Sequence, residues 1–77
     1  MKIRIRYTGK LPLHALEPGG EVEVEAGATV ADLLARIGVP EPLQPFMLPV
    51  VNGERRELSH VLREGDRLEF FSPAGGG

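Results

Sequence analysis

Thr29-Val30-Ala31-Asp32-Leu33-Leu34-Ala35-Arg36-Ile37-Gly38 is the stretch on which the fold turns. Val30, Leu33, Leu34 and Ile37 follow the i, i+3, i+4, i+7 spacing of one helical face. Thr29 can accept a hydrogen bond from a first-turn amide, and Asp32 puts negative charge at the positive end of the helix dipole. Gly38 can take the left-handed conformation that ends a helix, and Pro40 prevents continuation. The spacing predicts one short amphipathic helix, and its apolar stripe needs a second layer of structure to cover it.

Upstream, Lys2-Ile3-Arg4-Ile5-Arg6-Tyr7 alternates, which puts Ile3, Ile5 and Tyr7 on one face of a strand. After a turn containing Pro18, Gly19 and Gly20, the segment Glu21-Val22-Glu23-Val24-Glu25 alternates in the same way, with Val22 and Val24 inward. Antiparallel pairing of the two would set Lys2, Arg4 and Arg6 across from Glu21, Glu23 and Glu25, a mildly stabilising arrangement. The basic row is therefore read as a solvated cross-strand ladder. Its alternative, a stripe for an acidic partner surface, suffers because the neighbouring acids cancel much of the field.

Downstream, Pro40, Pro42, Pro45 and Pro49 surround Phe46, Met47 and Leu48 and predict a stiff connection that closes one end of the core. A hydrophobic docking lip is the other use for that apolar trio. Val50-Val51 leads into Asn52-Gly53, a pair that tolerates positive φ and reverses hairpins, so Glu54 to Glu57 returns as a short polar edge strand. Ser59-His60-Val61-Leu62 reads as a single turn that places Val61 or Leu62 against the core. Glu64-Gly65-Asp66 makes the last turn before Arg67-Leu68-Glu69-Phe70-Phe71, where Leu68 and Phe70 point inward and Glu69 and Phe71 outward. The order is β-β-α-β-β-β, an α+β chain with one main helix across one face of a mixed sheet.

Seventy-seven residues make room for one small domain, expected over 1–71 with a flexible tail over 72–77. Nine basic and eleven acidic side chains leave a net charge of −2, so nucleic acid and anionic membranes are not expected partners. Without cysteine there are no disulfides, thiol nucleophiles or thiolate metal sites, which fits a reducing cytoplasm. The alternating N-terminus lacks the apolar stretch of a signal peptide, and no run of about 18 apolar residues exists. His14 and His60 lack partners at metal-ligand spacing, and Ser59-His60 sits in a surface turn rather than forming a nucleophile and base. Gly19-Gly20 and the closing glycines do not stand between a strand and a helix as phosphate loops do. No catalytic residue, bound metal or bound cofactor is expected of this chain.

What remains is Ser72-Pro73-Ala74-Gly75-Gly76-Gly77, directly after a strand. Six extended residues reach at most about 20 Å, enough to carry a terminal carboxylate into a narrow tunnel on another protein. Glycine suits such threading because a backbone without Cβ can be gripped closely on all sides. A frayed terminus is the plain alternative.

In sum the arrangement resembles the MoaD/ThiS family of small sulfur carriers, which share the ubiquitin-like β-grasp fold. The resemblance lies in Gly27-Ala28-Thr29-Val30-Ala31-Asp32-Leu33-Leu34, in Val51-Asn52-Gly53, and in Leu62-Arg63-Glu64-Gly65-Asp66-Arg67-Leu68-Glu69-Phe70-Phe71 followed by a short glycine tail. It implies that Gly77 is the reacting residue. A separate ubiquitin-activating-type enzyme would adenylate it with ATP and magnesium, and a sulfur donor would then convert it to a thiocarboxylate. Gly75 and Gly76 would thread the tail, and Phe71, outward beside it, would dock the partner. The chain would be a co-substrate, or the small subunit of a larger synthase, and not an enzyme. Phe70-Phe71-x-Pro73 resembles the molybdopterin branch, whereas the short connection from Gly38 to Val50 is closer to the thiamin branch. Arg6-Tyr7 departs from the pair of large apolar side chains that relatives often carry near the end of the first strand. A ubiquitin-like protein modifier and a plain interaction module are the competing readings.

Overall fold

The computed structural model of the protein describes residues 1–8, 13–14 and 19–71. Its elements are β1 (Lys2–Thr8), β2 (Glu21–Glu23), helix α1 (Val30–Arg36), a 3-10 helix (Glu41–Phe46), β3 (Val50–Val51), β4 (Glu54–Arg55) and β5 (Arg67–Phe71). They form one five-stranded sheet in the order β2-β1-β5-β3-β4. The first and last strands pair in parallel at its centre, while the other pairings are antiparallel. This is the ubiquitin-like β-grasp.

The helix forms where its caps dictate. Thr29 Oγ1 accepts from the Asp32 amide at 3.1 Å while the Thr29 amide donates to Asp32 Oδ2 at 3.0 Å, so two first-turn donors are satisfied reciprocally. The next two amides are met from outside the helix: Val30 donates to the His60 carbonyl and Ala31 to that of Leu58. At the other end Gly38 has φ +95°, the left-handed stop that the sequence predicts. The side chain of His14 fills the space where a Cβ on Gly38 would stand, 2.6 Å from His14 Nε2.

Helix and sheet meet in a core of Ile3, Val22, Val30, Leu33, Leu34, Ile37, Leu68 and Phe70, all fully buried, which Met47 and Leu62 close. Alternation thus sorts β1, β2 and β5 as the sequence predicts. Tyr7 is half-buried and lies with its ring centroid 4.9 Å from that of Phe70.

Four expectations are corrected. β2 stops at Glu23 instead of Glu25, although Val24 stays buried and its amide still reaches the Met1 carbonyl. The return strand of the hairpin keeps only Glu54–Arg55. Arg6 does not face an acid on β2, because the register that sets Lys2 opposite Glu23 and Arg4 opposite Glu21 leaves it beyond the strand's end; it faces Glu69 of β5. The Phe46-Met47-Leu48 trio is divided: Met47 is fully buried, while its two neighbours are exposed. Of the pair left open in the 59–62 turn, Leu62 enters the core and Val61 faces out. Pro18 and the 72–77 tail lie outside the described residues.

Candidate functional site

Two neighbouring phenylalanines on β5 take opposite roles because a strand sends consecutive side chains to opposite faces. Phe70 is 1% exposed and part of the core; Phe71, the strand's last residue, is 47% exposed. Phe71 is the register partner of Thr8 on β1, and its amide donates to the Met47 carbonyl at 3.0 Å. That bond ties the end of β5 to the segment that carries the exposed Phe46 and Leu48. The result is an apolar margin where the sheet hands over to Ser72. Gly75, Gly76 and Gly77, the residues expected to thread and react, lie outside the described residues.

Leu48 joins this margin through its backbone. It has φ +52°, in the left-handed region that a branched side chain normally avoids, and it lies between the buried Met47 and the buried Pro49. Strain of this kind persists only where the surroundings over-determine it. Sequence reasoning missed this residue's conformation; nothing in Leu48-Pro49 marks it, since the residue before a proline is ordinarily extended.

The outward face of the sheet leads away from Phe71 in rows fixed by the pairing. One row runs Glu21, Arg4, Arg67; the next runs Arg6, Glu69, Val50, Arg55. Arg4 reaches Glu21 at 3.9 Å and Arg67 reaches Glu69 at 3.8 Å, both at the long limit of an ion pair. Glu23 is engaged by the Met1 ammonium at 2.7 Å. This hydrogen bond, aided by the charges of the ammonium and of Lys2, holds the Glu23 carboxyl below the usual carboxylate range.

At the far end of β5, Asn52 fixes the hairpin turn. Its Nδ2 donates to Asp66 Oδ1 and its Oδ1 accepts from the Arg67 amide, both at 2.9 Å. Asn52 also has positive φ (+50°), followed by Gly53 at +87°, the pattern of a tight hairpin reversal. His60 supports the helix start through its backbone, as described above. No group of three or more His, Asp or Glu side chains among the described residues is placed to hold a metal ion. No helix among them is long and apolar enough to cross a membrane.

The described surface therefore offers an apolar margin at the root of the tail and a charged sheet face. A chain built this way can be held and presented by another protein. Compared with known families, residues 11–77 match the model of the ThiS family. No curated protein and no solved structure matches the chain.

Proposed function

Starting from the fact that this chain belongs to the ThiS family of small sulfur carriers, we propose that it carries its sulfur as a thiocarboxylate on Gly77. The Gly77 carboxylate attacks the α-phosphate of ATP in a partner enzyme of the ubiquitin-activating type, with magnesium bound there, and pyrophosphate leaves. The resulting acyl-adenylate has AMP as a good leaving group, which a carboxylate lacks. Hydrosulfide from the sulfur donor attacks the acyl carbon, the C–O bond to AMP breaks as AMP leaves, and loss of the sulfur's proton gives the thiocarboxylate with no change of oxidation state. This chain supplies no base or metal to these steps; Gly75 and Gly76 make the end narrow enough to enter the partner's site.

The observation that carries this reading is the end of β5. A core strand locked by Phe70 delivers the chain to an exposed Phe71 immediately ahead of the tail, so a partner that buries Phe71 gains both a hold on the domain and the direction of the tail. Phe70-Phe71-x-Pro73 favours molybdopterin as the acceptor, with the chain as small subunit of a synthase. The short connection from Gly38 to Val50 favours the thiamin branch as the second reading.

Incubation with ATP, candidate adenylating enzymes and a sulfur source, followed by intact-mass measurement, tests the proposal. The expected product is the whole chain heavier by one oxygen-to-sulfur exchange. Gly77 found in isopeptide linkage to larger proteins would make the chain a modifier. Full function after deletion of Gly76 and Gly77 would make it a plain interaction module.

A further inference from the structure

Among the described residues one polar side chain is buried, that of Gln44 in the 3-10 helix, which is 5% exposed. Its Nε2 donates to the Val39 carbonyl at 3.4 Å, long for such a bond. Only an N–H can meet a carbonyl, so the side-chain oxygen is the atom left over, and it accepts no hydrogen bond from the chain. Buried acceptors are rarely left in that state, because desolvating one without supplying a donor is costly. The missing donor has to come from outside the chain.

Gln44 lines an open groove between α1 and the 3-10 helix. Ala31 and Ala35 stand one turn apart on the same face of α1, and their methyl groups leave the space open. Pro45 and Leu58 add further apolar wall. The charged residues of the lining are Asp32 and Glu41, with no cation among them. Asp32 accepts the Thr29 amide on Oδ2, and neither acid makes an ion pair. The neighbouring cations are engaged elsewhere. Arg36 donates to the Glu23 carbonyl at 3.5 Å, and Arg56, two residues before Leu58, pairs with Glu54 at 3.3 Å, while Glu57 between them adds another acid.

We infer that this groove between α1 and the 3-10 helix receives an arginine side chain of a partner protein. Arginine has both halves of the required chemistry. Its methylene stem covers apolar wall, here Ala31, Ala35, Pro45 and Leu58, while its head stays polar. Its planar guanidinium offers five N–H donors, enough to serve a carboxylate and the Gln44 oxygen together, whereas a lysine ammonium is a compact and more strongly hydrated point charge. An anionic ligand is disfavoured by Asp32 and Glu41, and a wholly apolar one would leave Gln44 unsatisfied. The lining includes no residue of β5 or of the tail, so this site stands apart from the chemistry proposed for Gly77.

The test titrates N-acetyl-arginine methylamide into the isotope-labelled full chain and follows its amide resonances. Saturable shifts are expected at Ala31, Ala35, Leu58 and the side-chain amide of Gln44. The citrulline analogue, with the same stem and no charge, should bind about tenfold more weakly. Glu41→Gln, at an exposed position, should weaken the arginine probe about threefold, and Gln44→Leu about tenfold. Glu64→Gln, which removes an acid outside the groove, should change nothing. If Gln44→Leu does not fold, Glu41→Gln and the citrulline probe decide.

Absence of saturable shifts in the groove, or equal affinity for the arginine and citrulline probes, would overturn the inference. So would unchanged affinity in the groove variants when circular dichroism shows them folded. Tighter binding of spermidine than of the arginine probe would give the groove to a free polyamine and overturn the protein partner. Self-association of the chain in sedimentation, lost in Glu41→Gln, would give it to a second copy and overturn that partner too. Failure of every enzyme to load Gly77 would leave this test untouched, since the probe reads the groove directly.

Discussion

The Phe71 amide and the Met47 carbonyl are joined by a 3.0 Å hydrogen bond, so the last residue of the core strand is fastened to the one residue of the Phe46-Met47-Leu48 segment that is buried. Met47 anchors while its neighbours and Phe71 stay exposed. Buried and exposed side chains thus alternate here, and substitution can separate core stability from the docking role proposed for Phe71.

Phe71→Ala removes a half-exposed ring and should change stability by no more than about 0.5 kcal/mol, yet raise the KM for adenylation about tenfold. Phe70→Ala empties a fully buried site and should cost about 3–5 kcal/mol, enough to leave so small a domain largely unfolded. Denaturant melts paired with loading kinetics check both. Similar melts for the two variants would contradict the division.

Leu48 and Asn52 are the two described residues other than glycine with positive φ, and glycine at each should act oppositely. Leu48→Gly relieves backbone strain of about 1–2 kcal/mol and removes an exposed side chain, so stability should hold or rise by up to about 1 kcal/mol while loading weakens. Asn52→Gly relieves similar strain, which an Asn tolerates well, but breaks the bonds to Asp66 and to the Arg67 amide. It should lower stability by about 1–2 kcal/mol. Urea midpoints for the two variants give the comparison.

Glu23 ties the chain's first residue to the sheet, and its carboxyl is held lower in the folded state by the Met1 ammonium. A carboxyl depressed on folding contributes fully above its unfolded value of about 4.3 and loses that contribution as pH falls through the folded value. The wild type should therefore exceed Glu23→Gln in stability at about pH 6, and the gap should close towards about pH 2. Melting temperatures across that range measure it; a gap that stays constant would remove the ammonium as the cause.

One bulky residue added after Gly77 should abolish loading and leave the melting temperature unchanged, because the reacting carboxylate would be displaced and widened while the core is untouched. Mass spectrometry after incubation with the adenylating enzyme reads the first and calorimetry the second. Loading at the wild-type rate would count against threading.

The strands, the helix with its Thr29 and Asp32 caps, the hairpin at Asn52-Gly53 and the outward Phe71 were legible in the residues themselves. Each depends on spacing within a few positions, where backbone geometry alone decides which side chains share a face. Three features were decided only in three dimensions: the parallel pairing of β1 with β5, the placement of Arg6 opposite Glu69 rather than an acid of β2, and the division of Phe46, Met47 and Leu48. These depend on contacts between segments far apart in the chain. Local periodicity carries no register across such a distance, and in an irregular connection the side that is buried is fixed by whatever the rest of the fold brings against it.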